Sequence, residues 1–180
     1  MYRVNVDHAA TPPIAESCRQ PCTSHSFVTK SKINIMSFNA RSLRNKIDEL
    51  KCVINTEPVD VIAITETFID TTNIDLLSEY NIDGFKLFNK DRINRRGGGV
   101  ALYVRTWLCP VEITPRDNNV EHVCVQVIAE KIKINISVTY RPPGQNQERD
   151  NVMYNVISQS LRNGESIILG DFNLPHINWQ

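Results

Sequence analysis

The chain has 180 residues, enough for one domain with its own hydrophobic core and no need of disulfide or metal staples. Twenty Lys and Arg balance twenty Asp and Glu, so no global basic field recruits nucleic acid, and any such contact must be local. No apolar run reaches the roughly 20 residues of a bilayer span, no signal-like stretch opens the chain, and five scattered cysteines suit a reducing compartment, so an intracellular, non-secreted protein without a membrane segment is expected.

Residues 1–31 mix Pro12, Pro13 and Pro21 with Ser and Thr and carry neither a helical nor a strand period. They are predicted to be a disordered leader, with one folded domain over 32–180. Cys18, Cys22 and His25 in that leader have a zinc-like spacing but no evident fourth ligand.

Ile33 to Phe38 reads as a short strand, and Leu43, Ile47, Leu50 and Ile54 then repeat at the spacing of an amphipathic helix closed by Pro58. Val59 to Thr65 is a nearly unbroken β-branched run, the pattern of a strand covered on both faces. After one weak helical turn (74–80) come Phe85 to Phe88, a charged loop, three glycines (Gly97, Gly98, Gly99) and the strand Val100 to Val104. The glycines lack the Lys and Ser or Thr of a Walker loop and are read as a hairpin bend.

Val123 to Ile128 and Ile132 to Tyr140 form a predicted hairpin, which Pro142-Pro143-Gly144 stops. A helix is predicted from Gln147 to Leu161, with Val152, Val156 and Ile157 along one face, and the strand Ser166 to Leu169 follows. Strands, two helices and a hairpin in this mixed order imply an α/β sandwich rather than a regular βαβ repeat.

Four apolar strands each end in a polar group of catalytic type: Asn39, Glu66, Tyr140, and Asp171 with Asn173. If those ends share one edge, they converge into a site for phosphoryl chemistry. Glu66 at a rigid strand end suits a hard divalent ion such as Mg²⁺ (or Mn²⁺), which needs only one or two protein carboxylates. Asp171 would orient a water, the Asn173 amide would donate to a phosphate oxygen from the same side of an extended chain, and Tyr140 adds a phenolic donor. Arg41 and Arg141, each next to a candidate residue, and Arg95 and Arg96 in the charged loop with Lys86, Lys90 and Arg92, are candidate nucleic-acid contacts, with solvated salt pairing as the competing reading. His176 is read as an exposed or structural loop residue and His122 as a surface residue.

The blocks SFNARSLRNKIDEL, DVIAITETFI, DRINRRGGGVALYV, TYRPPG and ILGDFNLPHINW, in that order from Ile33 to Gln180, resemble the endonuclease/exonuclease/phosphatase superfamily, specifically the apurinic-type endonuclease domain of non-LTR (LINE-like) retrotransposons. The resemblance implies a four-layered α/β sandwich whose two mixed sheets pack face to face, with the site at one end of the sheets. It implies Glu66 as the metal ligand with Asn39 beside it, Tyr140 on the phosphate side, and Asp171 with Asn173 as the nucleophile-orienting pair. It also implies Mg²⁺-dependent nicking of DNA that leaves a 3′-hydroxyl for a reverse transcriptase in the full-length element, with work in the nucleus consistent with that role. Family domains continue to a Ser-Asp-His motif that this chain does not reach, so weak or absent activity, a last strand lacking its later neighbours, and marginal stability are expected. A non-catalytic remnant and a phosphatase acting on a small phosphate ester are the alternatives.

Overall fold

The computed structural model describes residues 2–5, 32–70, 78–92, 97–115, 119–129, 132–162, 164–174 and 177. Its regular elements are β1 (Tyr2–Asn5), β2 (Asn34–Asn39), α1 (Ile47–Thr56), β3 (Val61–Thr65), β4 (Phe85–Lys90), β5 (Val100–Arg105), β6 (Val111–Glu112), β7 (Glu121–Ala129), β8 (Ile132–Tyr140), α2 (Gln147–Ser160) and β9 (Glu165–Asp171). They form a five-stranded sheet of order β1-β2-β3-β5-β4 and a four-stranded sheet of order β6-β7-β8-β9. Within these mixed sheets β2 runs parallel to β3 and β8 parallel to β9, while the remaining pairs are antiparallel.

The period-2 pattern explains why the sheets face each other. Val61, Ala63, Leu102 and Val104 of the first sheet meet Val123, Val125, Val127, Ile134, Ile136 and Val138 of the second in one buried cluster. Each fully buried aliphatic side chain there contributes about 1.5–3 kcal/mol by leaving water. The alternate residues of the first sheet, Met36, Ile62, Ile64, Ala101 and Tyr103, pack under Ile47, Leu50 and Ile54 of α1. All five residues of β3 are therefore buried, as its β-branched run predicted.

On the outer face of the second sheet, the side chains between the inward valines are His122, Cys124, Asn135, Ser137 and Thr139, all buried beneath α2. The result is a four-layered α/β sandwich, helix on sheet on sheet on helix, as the sequence blocks implied.

Four expectations change. Tyr2–Asn5, inside the predicted leader, is an edge strand paired antiparallel with β2, and 6–31, with Cys18, Cys22 and His25, lie outside the described residues. The first helix starts at Ile47 rather than Leu43, because the chain turns through Arg41 and Ser42 at positive φ and the Leu43 N–H is taken by the Thr67 carbonyl. On α2 the buried stripe is Asp150, Met153, Val156, Ile157 and Ser160, and Val152 faces outward. His122 is 1% exposed instead of lying at the surface, since the helix covers its face of the sheet.

β9 forms one edge of the second sheet, and its Ile168 is exposed. No described helix is long and apolar enough to cross a membrane.

Candidate active site

Parallel pairing places Asn39 beside Thr65, the residue before Glu66, and Tyr140 beside Asp171. Both pairs of strand ends reach the same edge of the sandwich. There the two N–H bonds of the Asn39 amide are divided between two acids, Nδ2 donating to Glu66 Oε1 at 2.8 Å and to Asp171 Oδ2 at 3.2 Å. Asn39 Oδ1 accepts the Arg41 N–H at 3.1 Å, which fixes the amide's orientation. The Tyr140 hydroxyl donates to the same Glu66 oxygen at 3.1 Å.

Glu66 sits in the left-handed region at φ +52°, a conformation that costs a residue with a Cβ about 1–2 kcal/mol. Backbone bonds on both sides hold it there. Ala40, Ser42 and Leu43 donate to the carbonyls of Thr65, Glu66 and Thr67, and the N–H groups of Thr67 and Phe68 donate to Gly99 and Gly98. The three glycines are thus more than a bend: all have positive φ, and a Cβ on Gly99 would stand 2.6 Å from Thr67 Oγ1.

Burial, followed by the charge and hydrogen bond of Glu66, pushes the Tyr140 phenol above its ordinary pKa, while Arg92 pulls the other way. The phenol is therefore a protonated donor at neutral pH.

Asn173 departs from the extended geometry expected for it: φ is +43°, and its Nδ2 donates to the Arg141 carbonyl at 2.9 Å, leaving one amide N–H unspent among the described residues. It lines, with Asn39, Thr65, Asp171 and Tyr154, an open cleft of about 1630 Å³.

Arg141 does not reach toward a ligand. Its guanidinium forms a buried two-point ion pair with Asp150, 2.7 and 3.0 Å, and donates to the carbonyls of Gln145 and Asn173. The hydrogen bond from Arg141, joined by one from the Gln145 side-chain amide at 2.9 Å, holds the Asp150 carboxyl below the usual carboxylate range against the opposing pull of burial. The phosphate contact considered for Arg141 therefore gives way to a clamp that fastens the start of α2 to the chain after β9. Arg41 is exposed beside the site, and Arg95, Arg96 and His176 lie outside the described residues.

Sequence reasoning missed two participants. Arg92, grouped with the charged loop, lies over the Tyr140 ring with its guanidinium carbon 5.4 Å from the centroid and pairs with Glu121. The β7–β8 register gave one available signal, since Glu121 stands directly opposite Tyr140.

The donors offered at this edge, Glu66 and Asp171, are carboxylate oxygens, and among the described residues no group of three or more His, Cys, Asp or Glu gathers. Such a set fits a hard Mg²⁺-like ion that keeps several waters and does not fit a tetrahedral zinc site.

The fold is shared with solved structures of low identity. The endonuclease domain of TRAS1, a telomere-specific non-LTR retrotransposon, is 17% identical with a TM-score of 0.56, over 77% of this chain and 58% of its own. D. rerio TDP2 complexed with single strand DNA product is 18% identical with a TM-score of 0.56, over 81% and 62%. The Bacteroides thetaiotaomicron mannosyl-6-phosphatase Bt3783 is 12% identical with a TM-score of 0.56, over 78% and 65%. The chain thus spans less than two thirds of the length of each of these three structures. No curated protein matches the sequence. The Endonuclease/Exonuclease/phosphatase family matches residues 36–180, four-fifths of the chain and every residue of the Asn39–Glu66–Tyr140–Asp171 cluster, and the protein belongs to that family.

Proposed function

We propose that the chain is a divalent-metal-dependent phosphodiesterase domain that nicks DNA, the apurinic-type endonuclease of a non-LTR retrotransposon. The observation that carries this reading is the single Asn39 amide holding two carboxylates from different sheets, Glu66 and Asp171, with a phenol on the same Glu66 oxygen. The TRAS1 similarity and the sequence blocks favour the retrotransposon branch, in which the partners are DNA and a reverse transcriptase in the full-length element.

Glu66 would hold Mg²⁺ or Mn²⁺, which supplies positive charge to a phosphate oxygen. The remaining work falls to the chain. Asp171 accepts a proton-side hydrogen bond from a water and aims it at phosphorus, while Asn39 keeps that carboxylate turned toward Glu66. Tyr140 offers its O–H, and Asn173 its unspent N–H, to the oxygens on which negative charge accumulates.

Supercoiled-plasmid nicking with Mg²⁺ tests the reading against Glu66→Ala and Asp171→Ala. Each variant is expected to lose about 100-fold or more of the nicking rate, as removal of a charge-stabilising group does. Nicking that survives both substitutions would come from another nuclease and would refute the assignment. Hydrolysis of a small phosphate monoester without nicking would select the phosphatase alternative, and neither activity would select the non-catalytic one.

A further inference from the structure

Arg92 and Glu121 form an ion pair that joins the two sheets at the site. Arg92 lies in the loop after β4, in the first sheet, and its Nε donates to Oε1 of Glu121 on β7, in the second, at 2.6 Å. The side chains are only 21% and 10% exposed. The other Glu121 oxygen accepts the Gly99 N–H. Gly98 makes room for the arrangement, since a Cβ there would stand 2.4 Å from the guanidinium carbon of Arg92.

This pair touches both supports of Glu66. On one side, Gly98 and Gly99 accept the N–H groups of Phe68 and Thr67, the residues that follow Glu66, at 2.9 and 3.3 Å. Phe68, like Glu66, has positive φ, so this segment relaxes if those two bonds are lost. On the other side, the guanidinium lies over the Tyr140 ring, whose hydroxyl donates to Glu66. Stability alone does not account for the pair: Arg92 Nη2 is buried with no hydrogen-bond partner among the described residues, a costly state for a guanidinium. An arrangement that leaves a buried donor unmet while fixing two site residues has the character of a functional constraint.

We propose that Arg92 and Glu121 are positioning residues, a cross-sheet latch that sets Glu66 through the glycine turn and Tyr140 through its ring. The catalytic consequence rests on the function proposed above, whereas the latch itself is a mechanical claim. Lys in place of Arg92 keeps the charge but lacks the planar group that lies on the ring while its Nε–H reaches Glu121 Oε1.

The test uses the full chain with Arg92→Met, Glu121→Gln and Arg92→Lys, and two readouts that need no turnover. The first is amide hydrogen exchange at Thr67 and Phe68, referenced to Ile62 and Ala63 of the same sheet. Exchange at Thr67 and Phe68 is expected to speed up about tenfold or more while Ile62 and Ala63 stay near wild type, the mark of local opening. The second is Mn²⁺ affinity, expected to fall about tenfold or more, as when a metal ligand loses its supporting group. Unchanged protection at Thr67 and Phe68, or faster exchange there only in step with Ile62, would overturn the latch. Arg92→Lys decides the matter if Arg92→Met does not fold, because it retains the ion pair; wild-type behaviour at all four amides would overturn the role of the guanidinium. Absence of Mn²⁺ binding in the wild type would instead sink the metal-dependent reading, and the exchange data would still decide the latch.

Discussion

Acidification from pH 7 to pH 4 is expected to remove about 3 kcal/mol of folding stability through one side chain, His122. The imidazole is 1% exposed, with Nδ1 2.8 Å from Thr139 Oγ1 on β8 and Nε2 2.7 Å from Ser160 Oγ at the end of α2. Because the Ser160 hydroxyl donates to the Val156 carbonyl, it accepts from an Nε2–H, which leaves Nδ1 to accept from Thr139. The neutral ring satisfies all three groups. A second ring proton would force the Thr139 hydroxyl to turn away, and burial already lowers the His122 pKa from 6.5 to about 4.

The direction of the pH dependence follows from those two values. In the unfolded chain the ring takes up a proton near pH 6.5, and in the folded chain only near 4, so falling pH favours the unfolded state throughout that window. At about 1.36 kcal/mol per pH unit, the window amounts to about 3 kcal/mol of stability, fully present above pH 6.5 and lost progressively below it. Urea unfolding at several pH values between 7.5 and 4.5, for the wild type and for His122→Gln, isolates the effect from carboxylates that titrate lower. The wild type should lose stability more steeply than the variant between pH 6.5 and 5. Equal slopes in the two proteins would show that His122 protonates without cost and would refute the reasoning.

Gly170→Ala should destabilise the protein by about 2–3 kcal/mol, because the added Cβ would lie 2.1 Å from the Thr139 carbonyl oxygen at a backbone φ of +155°; a urea midpoint within error of the wild type would contradict this. Either Arg141→Met or Asp150→Leu alone should cost about 3–5 kcal/mol by leaving a buried charge unpaired, and the double variant should cost less than the sum of the two. Additive losses in that urea cycle would mean that the two charges are not coupled.

Much of the frame was legible because it is local. The β-branched run ending at Thr65 could only be a covered strand, and the period of residues 147–161 gave a helix to within one residue of its observed end. The polar residues that follow strands were equally visible. What the sequence did not carry was the direction of charged side chains in loops: nothing local tells that Arg92 folds back over Tyr140. His122 was misplaced for a related reason. Alternation in β7 correctly separates its two faces, but only α2, contributing Ser160 from 38 residues away, turns the polar face into an interior. The Asn39 contacts span 27 and 132 residues, which is beyond any spacing rule.

Strand direction is what makes the site possible. Had β2 and β3 been a simple hairpin, Asn39 and Glu66 would have ended at opposite edges of the first sheet; their parallel pairing, through the crossover that contains α1, brings both carboxyl ends to one edge. The second sheet repeats the device with β8, α2 and β9, which delivers Tyr140 and Asp171 together. Each half supplies one acid and one group that hydrogen-bonds across the sandwich, so neither half holds a site until the facing core of Val61, Leu102, Val125 and Ile136 is packed. Because effective catalysis tolerates displacements of only about 1 Å, that core sets the geometry of the acids as well as the stability of the fold. The short polar segments at the strand ends can then be strained, as Glu66 is, because two packed sheets hold their ends in place.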